Sequence, residues 1–352
     1  MVGKTNPGVR KTNPRVRKTK QGAALLAVLW LAAGLSAIAL TIANTVRGET
    51  ERSSTESDGL KAYYLAAGAI DRMLLYLEKP TAFQNPDRTP LIMDYTRVLP
   101  FDFPTGVVTG EIIPETSKLD VNKADSKDLF SLLLALGEDP GQAELTLNGI
   151  LDWRGPSQGG SLTGFDQFYL SMTPSFQARH ASVQEIEELL LVRGVTPDLF
   201  YGSYTRTAQG QFVPHAGLRD CLSVYGSTSA GFDVNTVEPA VMQAIGIAPD
   251  VAAAIVAQRK TVPIRDLGQL AAFRNSGPGL GRLGVAHVAI GTPLAVTLRA
   301  TARLKLYNGQ LSDVRRTVSE MVLFLDPTSQ LLKPGQPPYH VMRWYENAVA
   351  LQ

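Results

Sequence analysis

Cysteine is almost missing from this chain of 352 residues: Cys221 stands alone. An intramolecular disulfide is therefore excluded, and the chain is compatible with either side of a membrane. Histidine is nearly as scarce, with His180, His215, His287 and His340 far apart in the sequence. No paired-histidine zinc motif, no phosphate loop and no Gly-x-Ser-x-Gly elbow is present. These absences leave no catalytic constellation, and an enzyme is not expected. Acidic residues are missing from the first twenty positions, which hold Lys4, Arg10, Lys11, Arg15, Arg17, Lys18 and Lys20. That basic stretch accounts for the net charge of +2, so the balance does not argue for nucleic acid.

Residues 21–46 lack charge altogether. As a helix this run would be about 39 Å long at roughly 1.5 Å per residue. A bilayer core is about 30 Å thick, so the run is long enough to cross one. The basic side should stay in the cytoplasm and the C-terminal body should cross, by the positive-inside rule. Beyond the run, Leu60, Tyr63, Tyr64, Ala67, Ile70, Leu74 and Leu77 recur at helical spacing, and both tyrosines are expected in the core. Residues 81–104, rich in proline and turn formers, read as a loop.

The remaining chain divides by texture. Residues 107–113 are β-branched and predict a strand. Residues 294–307 and 314–325 predict two more, joined by the hairpin signal Asn308-Gly309, and residues 341–345 a last one. Between them the pattern is helical and nearly duplicated. Asp120-Val121-Asn122 opens one segment and Asp233-Val234-Asn235 the other, each followed by a helix, a glycine turn and a second helix. Asp125 is expected to cap the first helix of the first segment, and Pro239 to begin the first helix of the second. Such units often bind DNA phosphates through a Gly-x-Gly turn, but the second turn is Gly246-Ile247-Ala248 and the first carries Glu138 and Asp139. The reading is structural. Gly279-Leu280-Gly281-Arg282-Leu283-Gly284 matches the dinucleotide fingerprint by chance, since no adequate helix follows. Arg193-Gly194 and Arg259 read as solvated helix ends or hairpin positions.

The junction Lys20-Gln21-Gly22-Ala23-Ala24 resembles the processing site of type IV pilin-like proteins. The resemblance implies cleavage by a prepilin peptidase after Gly22, with Ala23 as the mature N-terminus. Most members have a glutamate at the fifth mature position, and this chain has Ala27. That departure, with Asp120, Asn122, Asp152-Trp153, residues 183–195, Asp233 and Asn235 in order, resembles the K-type minor pseudopilins of type II secretion. The fold so implied is α+β. A pilin-like N-terminal helix packs on an antiparallel sheet, and a large all-α domain of two helix-hairpin-helix (SAM-like) modules is inserted. The expected divisions are a leader over 1–22, a transmembrane helix over 23–46, and a helix with a first strand over 47–113. The insertion follows over 114–292, with modules near 120–154 and 233–259, and a β part over 293–352.

The implied role is a non-enzymatic subunit at the pseudopilus tip. Its implied partners are the I- and J-type minor pseudopilins, the major pseudopilin, prepilin peptidase and the inner-membrane assembly platform. The implied place is the inner membrane with a periplasmic body. Readings left open are a minor pilin of a type IV pilus or DNA-uptake apparatus, and a membrane-tethered helical scaffold unrelated to secretion. No cofactor is expected. The resemblance also implies calcium bound by acidic residues of the helical domain. Here Arg154-Gly155-Pro156-Ser157-Gln158 stands where further aspartates are usual, which leaves Asp152 as a weak calcium candidate read as structural.

Overall fold

The computed structural model describes residues 3, 8, 21–93, 95–156, 161–207, 210–273, 278–286, 288, 294–325 and 335–346. The leader positions other than 3, 8, 21 and 22, and His287, lie outside the described residues. The chain divides into two units, Met1–Ser57 and Asp58–Gln352. In the first, α1 (Gln21–Glu78) begins, and its residues from Ala24 through Ser57 are all exposed, with Leu25, Leu29, Trp30 and Leu35 among the apolar ones. The helix holds a stretch of mean hydropathy 2.3, long and apolar enough to cross a membrane.

In the second unit α1 continues, and Ala62, Ala66, Ala69, Ile70, Met73, Leu74 and Leu77 are its buried face. The face differs from the expected stripe: Leu60 and Tyr64 are exposed, and Tyr63 is half-buried with its hydroxyl donating to Glu346 at 3.3 Å. Alanines replace the tyrosines in the core because a small side chain lets the helix backbone approach a sheet closely. Gly59 does the same for Arg316, whose guanidinium would lie 2.7 Å from an added Cβ.

The sheet begins with β1 (Val98–Phe103) and β2 (Gly106–Pro114). So β1 falls inside the stretch expected to be loop, and two strands, not one, precede the helical region. The chain then passes through β3 (Leu119–Asp120), α2 (Ser126–Ala135), α3 (Pro140–Arg154), α4 (Gly164–Leu170) and α5 (Pro197–Tyr201). Next come β4 (Ser203–Arg206), β5 (Phe212–His215), α6 (Leu218–Cys221), β6 (Leu222–Ser223) and β7 (Phe232–Asp233). After α7 (Pro239–Ala244), α8 (Pro249–Thr261) and β8 (Leu283–Gly284), the chain returns to the sheet as β9 (Leu294–Lys305), β10 (Leu311–Phe324) and β11 (Tyr339–Glu346). The order is β1-β2-β9-β10-β11, antiparallel throughout. Gly309, at φ 80°, turns the β9–β10 hairpin.

Two cores result. One joins α1 to the sheet through Val108, Ile112, Leu298, Ala300, Val318 and Val322. The other lies wholly between residues 119 and 283 and holds Leu129, Leu132, Leu133, Val241, Ile245 and Ile255. That region is not all-α: β3 pairs with β6 and β7 with β8, both parallel, and β4–β5 form an antiparallel ribbon. The two-residue pairings tie segments distant in sequence, and strands so short leave no alternation to read.

Glu320 sits buried on β10. Burial, then the like charge of Asp71, raises its carboxyl to about 7. An acid raised in the folded state stabilises fully below its unfolded value near 4.5, and that stability is lost as pH rises through about 7. Glu320→Gln is expected to flatten the decline in urea midpoint across this window; an unchanged pH profile would contradict the assignment.

Candidate functional site

The duplicated segments become the same machine twice. In the first, Asp120 Oδ1 accepts from the backbone of Asn122 at 2.8 Å and Lys123 at 3.2 Å, setting the turn before α2. Asn122 clamps Val183 from both sides: its Oδ1 accepts Val183 N–H at 2.7 Å and its Nδ2 donates to Val183 O at 2.9 Å. Arg154, from the end of α3, donates to Val121 O at 2.6 Å and Ala124 O at 2.8 Å. In the second, Asn235 clamps Ile264 at 2.8 Å in both directions. Arg259, from α8, donates to Val234 O at 3.0 Å and Val237 O at 2.7 Å. Burial draws both guanidinium pKa values down; Asp120 and Asp125 oppose this at Arg154, Glu238 and Asp233 at Arg259. Arg259 is therefore no solvated helix end. Nor is Arg193, whose guanidinium lies 4.4 Å over the Phe168 ring, while Gly194 takes φ 97°.

The glycine turns match as well, with Gly137 at φ 98° and Gly246 at φ 95°. Gly137 N–H bonds Leu134 O and Glu138 N–H bonds Leu133 O; Gly246 N–H bonds Gln243 O and Ile247 N–H bonds Met242 O. Asp139 caps α3 by accepting from Gly141 and Gln142 at 3.0 and 3.3 Å. These are the amides a phosphate would need, so the turn is filled by the chain's own carboxylate. Asp125 occupies the N-cap position of α2 without a side-chain bond, a departure from expectation. Asp128 instead accepts from Arg282 at 2.5 Å. Gly279, from the chance fingerprint, packs its backbone against the second turn, where an added Cβ would lie 2.7 Å from Ile245 O.

Asp233 does more than its counterpart Asp120. It is fully buried and takes a bidentate Arg97, at 3.1 and 2.9 Å. It also accepts from Thr236 Oγ1 at 2.7 Å and Ala286 N–H at 3.0 Å. Arg97 immediately precedes β1, so this pair fastens the second module to the sheet. Arg343 on β11 is a second fastening, to Glu185 and Glu187. Its pKa is driven upward, chiefly by the hydrogen bond to Glu185.

Trp153 is buried, donating Nε1–H to Glu188 at 3.2 Å, with its ring edge-on to Tyr169. Its neighbour Asp152 meets Asp166 and His180: one ligand-type atom from each lies within 4.8 Å of the others. Sequence spacing did not associate these three. The signal that was available is Thr163-x-x-Asp166, a capping box at the start of α4. The resemblance implies calcium in this region, and the donor set does not fit it. Asp166 already accepts from Thr163 N–H, Thr163 Oγ1 and His180, and the third group is a ring nitrogen. Calcium takes six to eight oxygens.

Gly22, Ala23 and Ala27 all lie in α1, and Ala27 is exposed.

Residues 113–202 match the family model described as type II secretion system (T2SS), protein K. No curated protein matches the chain. A solved structure, the crystal structure of the GspK-GspI-GspJ complex from the enterotoxigenic Escherichia coli type 2 secretion system, contains a similar chain. It is 15% identical with a TM-score of 0.47, over 86% of this chain and 98% of that one. The matched segment runs from the end of β2 past the first module to α5, and over it the chain is similar to the type II secretion system protein K family.

Proposed function

We propose that this protein is a tip subunit of the type II secretion pseudopilus, a non-enzymatic part that initiates or caps filament assembly. The protein K match over residues 113–202 carries the reading. Supporting it, α1 has the apolar stretch of a membrane anchor, and a helical region lies between β2 and β9 as an insertion of two helix-hairpin-helix modules. Apolar stalks of neighbouring subunits pack side by side in a bilayer through close van der Waals contact. The helical bulk obstructs a further subunit stacking above, and Ala27 removes the acidic group with which pilin-like stalks pair along a shaft. The leader is cytoplasmic and the body periplasmic. Partners are the I- and J-type minor pseudopilins, of the kind named with GspK in the similar complex.

Mass spectrometry of the protein from cells containing prepilin peptidase is expected to give a mature N-terminus at Ala23. A chain still beginning at Met1, or one cut beyond the apolar run, would overturn the reading. Cross-linking should place the subunit at one end of the filament and not along its shaft.

A further inference from the structure

We propose that the imidazolium of His180 is the resident cation of the Asp152–Asp166–His180 cluster, so that this part of the first module is held by a proton and needs no metal ion. The geometry carries it. His180 Nδ1 lies 3.1 Å from the backbone carbonyl oxygen of Asp152, which can only accept. Nε2 lies 2.9 Å from Asp166 Oδ1. The other oxygen of Asp166 accepts from Thr163 N–H at 2.9 Å and Thr163 Oγ1 at 3.2 Å, and although burial pushes its pKa up, these bonds and His180 hold it below the usual carboxylate value. A neutral imidazole has one N–H, and a ring between two acceptors needs two.

Two further observations agree. Asp152 Oδ2 is buried with no hydrogen-bond partner, and a carboxylate oxygen of Asp152 lies within 4.8 Å of a ring nitrogen of His180. His180 also takes φ 47°, a backbone region that side chains other than glycine adopt at a cost, and the two ring bonds hold it there. The charged and titratable groups facing the ring are Asp166 on α4 and Asp152 on α3. Nearby Tyr169 receives Arg193 N–H, and Arg179 is paired with Glu188 at 2.8 Å. Burial opposes charge at both partners, yet hydrogen bonding and mutual attraction raise the His180 pKa and lower that of Asp166.

The mechanical effect is to join three separate segments at one ring: the last turn of α3, the N-terminus of α4, and the strand of chain that leads to Val183, where Asn122 clamps. A histidine raised in the folded state stabilises fully below its unfolded value of about 6.5 and ceases to as pH rises through the folded value. Metal chelation and added calcium then have nothing to act on.

The test uses the full-length protein in detergent. Thermal unfolding is followed over pH in the presence of EDTA, of calcium or of zinc, for the wild type and His180→Gln, which keeps a polar group and loses the charge. Expected are melting temperatures indifferent to EDTA and to either metal, and a gap between wild type and variant that is widest in mild acid and closes at alkaline pH. Taking the gap between variants removes the separate contribution of Glu320. Nitrogen-15 histidine labelling gives a readout on the wild type alone, should the variant not fold: both ring nitrogens of one of the histidines should be protonated at neutral pH, and Asp166→Asn should abolish that signature. Stoichiometric binding of calcium or zinc, a singly protonated ring, or a gap independent of pH would each overturn the proposal.

Discussion

Replacing Asp233 with alanine is expected to destabilise the folded body by about 3–5 kcal/mol, and Arg97→Ala by a similar amount. Asp233 is fully buried and Arg97 nearly so. The two are bound through both guanidinium nitrogens that face the carboxylate. Removing the aspartate takes away the buried carboxylate that Arg97 Nε and Nη2 share, while the bonds from Arg97 to the carbonyls of Thr96 and Ala286 stay in place. Removing the arginine strands a carboxylate whose other donors, Thr236 Oγ1 and Ala286 N–H, are neutral. With the arginine gone, the loss is dominated by the buried carboxylate's charge and not by the missing attraction. The double replacement should therefore be milder than the sum of the two single ones, by on the order of 1–3 kcal/mol. Urea denaturation of the four proteins in detergent measures this directly. Single losses below about 1 kcal/mol would show that water reaches the pair. Because Arg97 precedes β1 and Asp233 opens the second module, weakening this pair is also expected to speed proteolysis between β2 and β9 more than within the sheet.

What the residues disclosed beforehand follows from how local the determining physics is. The uncharged run, the Asn308-Gly309 hairpin and the long strands β9 and β10 are each specified by neighbours a few positions apart, and all were legible. The duplicated Asp-Val-Asn openings were legible for the same reason. The strand β1 was hidden by Pro100, since proline argues against a central strand. At a sheet edge it is tolerated, and β1 is the edge. The buried face of α1 departs from a stripe of large residues because the packing distance to the sheet selects alanine at 62, 66 and 69. The His180 cluster depends on contacts 14 and 28 positions apart, and Arg97 to Asp233 spans 136. No periodicity encodes such pairs. Arg154 and Arg259 were hidden in a different way: a cation at a helix end is usually solvated, and only the fold shows that each carries two carbonyl oxygens.

Those two arginines give the most discriminating comparison. Either one replaced by alanine is expected to cost about 2–4 kcal/mol, because each leaves a pair of backbone carbonyls without a donor in a partly buried place. Lysine should separate them. Arg154 reaches Val121 O with one terminal nitrogen and Ala124 O with the other, so it needs the planar fork. Arg259 reaches both Val234 O and Val237 O from a single nitrogen. A lysine ammonium has three donors on one atom and can serve two carbonyls at once. Arg259→Lys should thus keep much of the stability that Arg259→Ala loses, whereas Arg154→Lys should recover little over Arg154→Ala. The urea midpoints of the four variants give the answer. Equal rescue at both positions would mean that charge near the helix end, and not the count of donor atoms, is what the two modules share; the reverse order would rule out the donor geometry altogether.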